Sequence, residues 1–478
     1  MDNSILEKIQ KVDYIFSDSR YVLPNSAFIA FKGENFDGHD FIRSAYEKGA
    51  RLFFISNKKK WPNNIKAPYI CLPQEKLKKL YFELCHLIYR TKEIFKKIKI
   101  IGITGTNGKT TTAFSLQRIL SFKYKVGLIG TEVYKLGNFE KKAFRTTPSL
   151  DYLLFLFKKA YEENLDYVVM EVSSHALQQK RVYKVPFYLS IFTNLSQDHL
   201  DYHKNMENYF KAKTKIFFQT LKYGLINPYD KYSLIIKNLS SIYPCKILSL
   251  PLKKKEKILD LGKEKLYLNT NLVGDYNLEN VAFASYAAYL LGMDKDRIKR
   301  EIQNIYVPGR LEKIRENIFI DYAHTPDGLE RVCKALKSAF SDKNLIVIFG
   351  AGGNRDKKKR PLMLKSVLPY ASKIILTMDN PRFEDDIKIL LDILEGVKSL
   401  PKEEKKKIYD ILKEKGFYKF SEKIILIRYR EDAIKYALRK FNTHNNIFLF
   451  AGKGNENYIE IKGEKRPFSE KKEILKWV

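Results

Sequence analysis

The feature that most constrains the fold of this chain is an apolar run, a glycine-rich loop and a helix-forming stretch, in that order, between residues 98 and 121. "IKIIGITG" has the continuous apolar character of a buried parallel strand, and "TTTAFSLQRILSF" predicts a helix. Between them lie Gly105, Thr106, Asn107, Gly108, Lys109, Thr110 and Thr111. Glycines let backbone N–H groups approach phosphate oxygens, and a helix start adds partial positive charge. The stretch therefore predicts a nucleotide loop, with Lys109 at the phosphates and a threonine hydroxyl at Mg²⁺.

This loop departs from the usual phosphate-loop pattern, G-x-x-x-x-G-K-[ST]. Counting back from Gly108, the first glycine of that pattern falls at position 103, where this chain has Ile103. Gly105 lies nearer the lysine and is expected to take that role, which gives a shorter form of the loop.

The alternation of apolar runs and helical stretches predicts more than one α/β domain in 478 residues. The strands "KVGLIGT", "DYVVMEV", "YLSIFTNL" and "YGLIN" alternate with helices near 148–164 and 206–221, which predicts a doubly wound parallel sheet. Residues 251–265 predict a solvated hairpin, and helices follow over 278–292 and to about 305. We predict a small N-terminal α/β domain (1–95), a central P-loop domain (96–307) and a C-terminal Rossmann-like domain (308–478).

Composition excludes several classes of protein. No stretch approaches ~18 uninterrupted apolar residues, so we expect no membrane-spanning helix, and the first residues lack a signal-peptide pattern. No C-x-x-C pair occurs, and the four cysteines are too widely spaced to indicate zinc or a disulfide framework. The net charge of +32 invites a nucleic-acid function, but the lysines are spread along the whole chain without an aromatic or arginine-rich groove. We expect a cytoplasmic monomer without nucleic-acid or membrane partners.

Two further stretches place polar side chains directly after predicted strands. Glu171 ends "DYVVME", where ligands of open α/β sheets bind, and is a candidate for Mg²⁺. The alternative is a surface glutamate followed by helix-capping serines. "NLSQDHLDYH" contributes Asp198, His199, Asp201 and His203. The spacing of these four residues does not match a zinc-binding motif, and they suit contacts with Mg²⁺ or phosphate better. The alternative is a structural role, which is common for single histidines.

"GITGTNGKTTT", "EVSSHAL" and "NLSQDHLDYH", in this order, resemble the Mur ligase family of peptidoglycan-precursor synthetases, and in particular its tripeptide synthetases. The resemblance covers essentially the whole chain. It continues in "SDSRYVLPNSAFIAFKGENFDGHDFI" (17–42), "GDYNLENVAFA" (274–284), "VPGRLE" (307–312), "DYAHTPDGLE" (321–330), "FGAGGNRDKKKRPLM" (349–363), "DNPR" (379–382) and "AGKGNE" (451–456). Such enzymes use ATP to phosphorylate a peptide carboxylate, and an amine then captures the acyl phosphate. The resemblance implies an α/β fold of three domains and the cofactors ATP and Mg²⁺.

The resemblance also implies roles for residues of the central site. Lys109 would bind ATP phosphates, Thr110 and Thr111 would lie near Mg²⁺, and Glu171 and His199 match magnesium-associated positions. Lys213 matches a lysine that family members carbamylate, whereas alone it would read as a surface lysine between Lys211 and Lys215. The implied adenine, ribose and phosphate contacts are Asn277, Asn280, Arg310 and Asp321, with His324 nearby. Without the resemblance, Asn277 would be predicted to cap a helix N-terminus, and Arg310 would be predicted to form a surface salt bridge.

For the first substrate, the resemblance implies UDP-MurNAc-L-Ala-D-Glu. The residues that match its binding positions are Ser19, Arg20, His39, Thr146, Thr147, Ser173, Gln179 and Arg181. "TTP" (146–148) also predicts a helix N-cap followed by proline at the first helical position.

For the amino acid, the resemblance implies meso-diaminopimelate. The matching residues are Arg355, Asp379, Asn380, Pro381, Arg382, Gly452 and Glu456. Arg382 can form a two-pronged pair with the additional carboxylate that L-lysine lacks. A buried arginine left without this carboxylate is expected to cost about 3–5 kcal/mol. A lysine-adding relative and a folylpolyglutamate synthase-like protein remain the alternatives.

The chain departs from the family's pattern in two places. Asn455 and Asn457 stand where the family commonly has His and Asp, which puts the local charge in doubt. Residues 398–422 are longer than the usual connection and predict a solvated helix without an assigned function.

Overall fold

The structure is a computed structural model that describes residues 3–33, 36–262 and 264–478. Three sheets dominated by parallel strands follow one another along the chain, each flanked by helices. No helix within the described ranges is long and apolar enough to cross a membrane.

The first sheet has four parallel strands in the order β1-β2-β3-β4. Its core is aromatic, and Phe16 packs edge-on against Phe155 of the next unit, so the two units share one hydrophobic core. The elements are α1 (Asn3–Ile9), β1 (Tyr14–Phe16), β2 (Ser26–Ile29), α2 (Ile42–Glu47), β3 (Ala50–Ile55), β4 (Tyr69–Cys71), α3 (Gln74–Ile88) and α4 (Thr91–Lys97).

The second sheet has eight strands in the order β12-β11-β10-β5-β9-β6-β7-β8, and the run from β12 to β6 is parallel. Its strands are β5 (Lys99–Thr104), β6 (Val126–Ile129), β7 (Val133–Leu136), β8 (Phe139–Lys142), β9 (Tyr167–Glu171), β10 (Phe187–Phe192), β11 (Thr220–Ile226) and β12 (Lys246–Ser249). Its helices are α5 (Lys109–Leu120), α6 (Leu150–Glu162), α7 (Ser174–Gln178), α8 (Leu200–His203), α9 (Met206–Thr214) and α10 (Lys231–Asn238).

The antiparallel pair β7–β8 was not predicted. Only alternate residues of β7 are buried, so it lacks the continuous apolar run that marks the parallel strands. A turn at Gly137, with φ of +60°, returns the chain along the sheet edge. The helix predicted over 206–221 ends at Thr214 and continues only as a 3-10 turn over 215–219.

Two predicted helix caps are wrong. Helix α6 begins at Leu150 with Ser149 at the N-cap, so Pro148 precedes the cap. The Thr147 hydroxyl instead donates to the Glu171 carbonyl and accepts from the Ser173 N–H. Asn277 lies inside α11 (Asp275–Leu290), whose N-cap is Gly274.

Residues 252–304 connect the second and third sheets. The elements are β13 (Leu252–Lys253), β14 (Ile258–Asp260), β15 (Lys265–Tyr267), α11 and α12 (Lys295–Glu301). The three strands form an antiparallel sheet that buries Leu252, Leu259 and Leu266, so this lysine-rich stretch is not the fully solvated hairpin that was predicted. Helices α11 and α5 pack together in the core of the central unit.

The third sheet has the order β16-β17-β22-β18-β19-β21-β20, and only its two edge strands are antiparallel. The strands are β16 (Glu312–Arg315), β17 (Ile318–Asp321), β18 (Asn344–Phe349), β19 (Lys373–Leu376), β20 (Phe417–Lys419), β21 (Ile424–Ile427), β22 (Asn446–Ala451) and the separate pair β23 (Tyr458–Ile461) and β24 (Glu464–Pro467). The helices are α13 (Pro326–Ala339), α14 (Lys359–Val367), α15 (Asp386–Leu394), α16 (Lys402–Lys415), α17 (Arg430–Phe441) and α18 (Glu470–Leu475).

The extra residues 398–422 form α16 and the edge strand β20. Ile408 and Leu412 of α16 are buried, and the Tyr409 hydroxyl donates to Asp385 at the start of α15. The prediction of a solvated helix therefore holds for one face of α16 only.

Candidate active site

The glycine-rich loop joins β5 to α5 and needs glycine at two positions. Gly105 has φ of +142°, and a Cβ there would lie 1.9 Å from the Thr193 hydroxyl. Gly108 has φ of +86°, and a Cβ there would lie 2.2 Å from Asn280 Oδ1. Ile103 is still inside β5 and fully buried, which explains why no glycine is required at that position.

Lys109 is the first residue of α5 and lies over its own loop. Its Nζ donates to the carbonyls of Gly105 and Thr106, both at 2.8 Å. Burial lowers the pKa of this lysine. The loop is held from the neighbouring strand by Asn194, whose Oδ1 accepts from the Asn107 N–H at 3.0 Å.

Glu171 at the end of β9 is 1% exposed, which contradicts the alternative that it is a surface glutamate. Its Oε2 accepts from the Thr110 hydroxyl at 2.8 Å, and its Oε1 accepts from the Thr131 N–H at 2.8 Å. The carboxylate and hydroxyl predicted for Mg²⁺ are therefore in direct contact. Within the described ranges no cluster of three His, Cys, Asp or Glu could hold a metal alone. This donor set suits Mg²⁺, which usually takes one or two carboxylates together with phosphate oxygens and water.

His199 and Asp198 follow β10 on the other side of the loop. His199 lies at the start of α8 with φ of +54°, and its Nε2 is 3.4 Å from Asp198 Oδ2. Enclosure lowers the pKa of His199, and His175 and Lys213 add to this against the opposing effect of Asp198. The imidazole is therefore neutral near pH 7 and able to act as a ligand. His203 is buried and bonded to the Ser174 hydroxyl, which is a structural role.

Lys213 is buried inside α9, which contradicts its interpretation as a surface lysine. Its Nζ donates to the Gly105 carbonyl at 2.7 Å, whereas Lys211 and Lys215 are exposed. Burial holds the pKa of Lys213 well below its usual value, and nearby Lys109 lowers it further. These surroundings favour the uncharged form of the Lys213 amine, which is its nucleophilic form.

The C-terminal unit supplies the opposite wall. The Arg310 guanidinium lies 4.7 Å from the centre of the Tyr322 ring, and its Nη2 is 3.4 Å from the Thr110 hydroxyl. The structure therefore directs Arg310 to the loop, not to a surface salt bridge. Asp321 is buried and accepts from the N–H groups of Leu311 and Ala323, both at 2.7 Å. Asp321 thereby fixes the chain segment that carries Arg310.

Two further sets of contacts join the central and C-terminal units, and neither was predicted from the sequence. Asp327 at the start of α13 accepts from the Asn107 side chain at 2.8 Å and from the Ser196 hydroxyl at 3.0 Å. Asn455, one of the departures from the family pattern, donates to Glu132 at 3.2 Å. No pattern in the sequence pairs residues more than 130 positions apart.

These walls enclose a cavity of about 330 Å³. Most residues predicted for the nucleotide and the metal line it. They are Thr106, Asn107, Gly108, Lys109, Thr110, Thr111, Glu171, His199, Lys213, Asn277, Asn280, Arg310 and Asp321, joined by Thr146, Ser173 and Arg355 from the predicted substrate residues. Gly105 is not among the lining residues, but its carbonyl binds both lysines.

A smaller cavity of about 100 Å³ lies beside the first and collects the residues predicted for the amino acid. It is lined by Asp379, Asn380, Arg382, Gly452, Glu456 and, from the wall of the larger cavity, Asp198, His199, Tyr322, His324 and Arg355. Pro381 does not line it, but its carbonyl packs against Gly353, where a Cβ would lie 1.9 Å away.

Arg382 is held by two contacts, which corrects the energetic argument made from the sequence. Its Nη1 donates to the Gly353 carbonyl at 2.8 Å, and its Nε is 3.3 Å from Glu460 Oε2. The side chain is 20% exposed. The expected cost of about 3–5 kcal/mol applies to an unpaired buried charge. Because Glu460 compensates Arg382, the discrimination falls to the value of a charge-assisted hydrogen bond, about 1.5–3 kcal/mol.

Lys453 is a fully buried cation that was not singled out, although it lies in the quoted "AGKGNE". Its Nζ donates to Glu456 Oε2 at 2.7 Å and to Asn380 Oδ1 at 3.0 Å. Tyr322 donates to the other oxygen of Glu456 at 3.0 Å. The carboxylate of Glu456 and the amide of Asn380 are thus fixed in orientation toward the smaller cavity.

The remaining predicted residues lie outside both cavities. His39 is buried in the first unit, where Nδ1 bonds to Asp37 and Nε2 accepts from the N–H of Ser56. Arg20 is exposed and paired with Asp18, and Ser19 is buried beside it. Thr147, Gln179 and Arg181 form a connected group, since Arg181 donates to the Thr147 carbonyl and to Gln179 Oε1. Their substrate roles stay predictions.

Comparison with known proteins gives matches along most of the chain. Three family descriptions match: "Mur ligase family, catalytic domain" over residues 11–85, "Mur ligase middle domain" over 103–288 and "Mur ligase, glutamate ligase domain" over 309–454. The chain is 39% identical to a UDP-N-acetylmuramoyl-L-alanyl-D-glutamate–2,6-diaminopimelate ligase of Aquifex aeolicus, covering 99% of this chain and 95% of the relative. A ligase of the same name from Clostridium acetobutylicum is 36% identical, with 97% and 94% covered.

Solved structures agree with the fold. A UDP-N-acetylmuramoyl-L-alanyl-D-glutamate–2,6-diaminopimelate ligase superposes with a TM-score of 0.60 at 28% identity, covering 97% of this chain and 94% of that one. MurF ligase from Thermotoga maritima in complex with ADP gives a TM-score of 0.63 at 17% identity, with 98% and 97% covered. The α/β fold class is thereby confirmed, and this chain belongs to the Mur ligase family.

Proposed function

We propose that this protein is an ATP-dependent ligase that adds meso-diaminopimelate to UDP-MurNAc-L-Ala-D-Glu during peptidoglycan precursor synthesis. The relatives are named as ligases of 2,6-diaminopimelate, and this chain has the basic residue that such a substrate needs at Arg382. The reaction forms one amide bond for each ATP converted to ADP and phosphate.

The loop and the start of α5 hold the phosphates of ATP. Backbone N–H groups of the loop and the Lys109 ammonium bind phosphate oxygens, while Arg310 approaches from the opposite wall. Thr110 and Glu171 would hold Mg²⁺, and His199 lines the same cavity. When bound, Mg²⁺ neutralises phosphate charge and favours transfer of the terminal phosphoryl group. Asn277 and Asn280 face the nucleotide side of the same cavity.

The first chemical step joins the γ-phosphoryl group to the D-glutamate side-chain carboxylate, and ADP leaves. Anions approach each other here, so the cations in the cavity wall lower the barrier. In the second step the uncharged amine of diaminopimelate attacks the acyl carbon. The nitrogen of the tetrahedral intermediate loses a proton, and the C–O bond to the phosphoryl group breaks, so that phosphate leaves with this proton.

The observation that carries this proposal is the junction of the two cavities. Asp198, His199, Tyr322, His324 and Arg355 line both, so the acyl phosphate and the incoming amine meet at one wall. Glu456 and Asn380, oriented by Lys453, suit recognition of the remote ammonium, and Arg382 suits the remote carboxylate.

Phosphate release with UDP-MurNAc-L-Ala-D-Glu tests the proposal. We expect release that depends on meso-diaminopimelate, with little release for L-lysine and less without an amino acid. Release that is independent of any amino acid would reject a ligase. Equal turnover of the two amino acids would favour the lysine-adding alternative, and use of glutamate on a folate would favour the folylpolyglutamate synthase-like one.

We further propose that Lys213 becomes a carbamate. Its amine is buried beside the loop, and burial favours the uncharged form that can attack CO₂. The attack forms an N–C bond and releases one proton, and the resulting carbamate is an anion that could support a second Mg²⁺. The test is Lys213→Ala assayed with and without a short-chain carboxylate. We expect loss of activity and partial rescue, and normal activity without added carboxylate would refute the carbamate. Lys211→Ala, an exposed neighbour on the same helix, is the matched control.

We assign the uridine-diphosphate end of the substrate to Ser19, Arg20 and His39. We assign the MurNAc-peptide to Thr146, Thr147, Ser173, Gln179 and Arg181.

The proposed domain limits are 1–95, 96–307 and 308–478. We propose that the enzyme is a monomer and that it works in the cytoplasm. The first sheet ends at Cys71 and the second begins at Lys99, which supports a boundary between them, although the limit at residue 95 falls within helix α4.

A further inference from the structure

One surface, which lines neither of the two cavities described above, exposes an unusual density of large apolar side chains. Between residues 218 and 242 seven of them lie outside the core, each 40–62% exposed. In the rest of the described ranges, no separate stretch of this length exposes more than two. Isolated exposed apolar residues need no explanation, whereas contiguous ones mark an interaction site. We call residues 218–242 the apolar surface.

Helix α10 and the turn after it carry four of the seven side chains close together, and Phe218 adjoins them. Helix α10 presents the adjacent residues Leu234 and Ile235 outward, while Ser233 and Ile236 face the core. The chain then bends through a 3-10 turn that carries Ile242, whose N–H donates to the Leu239 carbonyl at 3.1 Å. Phe218 adjoins this turn, since its ring lies 5.1 Å from that of Tyr243.

The charges carried by the segment that forms this surface are almost all positive. From residue 215 to 246 there are five lysines, all exposed, and one carboxylate. That carboxylate, Asp230, caps α10 by accepting from the N–H groups of Tyr232 and Ser233. The surface thus combines protruding aliphatic groups with uncompensated ammonium groups.

This combination decides between three kinds of partner. A second copy of this chain would bring its own lysines to the same contact, and the like charges would repel. A nucleic acid would use arginine and stacked aromatic rings, whereas this surface is mainly leucine and isoleucine. A bilayer with anionic headgroups accepts both features, because lysines pair with the headgroups and aliphatic side chains enter the headgroup–acyl boundary.

We propose that the apolar surface, centred on α10, binds peripherally to anionic phospholipid bilayers. This replaces the sequence-based expectation that the protein has no membrane partner, and it does not depend on the proposed function. The enzyme would then work beside a membrane surface.

The test is co-sedimentation of the full chain with vesicles of equimolar phosphatidylglycerol and phosphatidylcholine, against vesicles of phosphatidylcholine alone. We expect binding to the anionic vesicles that weakens with salt. The variant Leu234→Gln/Ile235→Gln/Ile242→Gln should weaken this binding about tenfold or more, because it removes the inserting groups. The matched control is Leu87→Gln/Leu362→Gln/Leu475→Gln, which changes three leucines of similar exposure elsewhere and should bind like the wild type.

Several results would overturn the proposal. These are no binding by the wild type, equal loss in both triple variants, or a dimer or an RNA complex that only the surface variant loses. Melting temperature and amino-acid-dependent phosphate release should match the wild type in both variants. If the surface variant melts early, Lys231→Glu/Lys237→Glu leaves the apolar groups intact and must still lose binding to anionic vesicles.

Discussion

Arg382 offers the sharpest test of how this protein selects its amino acid. A guanidinium has five N–H donors. At Arg382 one donor on Nη1 is used by Gly353 and Nε faces Glu460, which leaves donors on Nη1 and Nη2 for a carboxylate. The variant Arg382→Gln keeps a polar side chain of moderate length and removes the charge and the fork.

The size of the effect follows from these contacts. A hydrogen bond to a charged group contributes about 1.5–3 kcal/mol. Since each 1.36 kcal/mol is a factor of ten, kcat/KM for meso-diaminopimelate should fall about 10- to 150-fold. The value for L-lysine, which has no second carboxylate, should change less than about threefold by the same reasoning.

The assay is phosphate release under subsaturating amino acid, so that kcat/KM is read directly for each substrate. Arg466→Gln is the matched control, because Arg466 is 60% exposed on the nearby strand β24 and pairs with the exposed Glu464. It should leave both values unchanged. If Arg382→Gln lowers activity with both amino acids equally, Arg382 supports the loop and does not recognise the carboxylate.

Three further outcomes follow from the structure. Gly108→Ala should nearly abolish phosphate release, because the new Cβ would lie 2.2 Å from Asn280 Oδ1 and the backbone has φ of +86°. The control is Gly416→Ala, at a similar φ in open space, which should lower the free energy of unfolding by only about 1 kcal/mol and keep activity. Equal activities of the two variants would contradict this. Arg430→Met should lower the free energy of unfolding by about 3–5 kcal/mol, because it leaves Glu470 as a buried unpaired charge; a melting temperature equal to that of the wild type would refute it. Arg360 and the other groups around Glu384 lower the pKa of the Glu384 carboxyl to about 2. The contribution of this carboxylate to the free energy of unfolding is therefore complete above its pKa in the unfolded chain, near 4.5, and is lost as the pH falls toward 2. Glu384→Gln should therefore flatten the acid limb of stability against pH, measured by denaturant titration, and an unchanged limb would count against this pairing.

Much of the site could be predicted from local sequence because its parts are local. A strand followed by glycines and a helix start defines a phosphate loop, and the structure shows both glycines in conformations or contacts that other residues do not tolerate. Glu171 and His199 follow parallel strands, whose carboxyl ends share one edge of the sheet. Wrong predictions arose where local patterns compete, as at Thr147, whose hydroxyl bonds to β9 and the start of α7 instead of capping α6.

The chain by itself thus determined the fold class, the phosphate loop and the kinds of side chain that the site would use. The tertiary structure decided what these side chains experience. Burial and the neighbouring Lys109 lower the pKa of Lys213, Glu460 balances Arg382, and Lys453 orients Glu456. Each of these depends on groups brought close by the packing of separate elements, and a sequence pattern carries no distances between them.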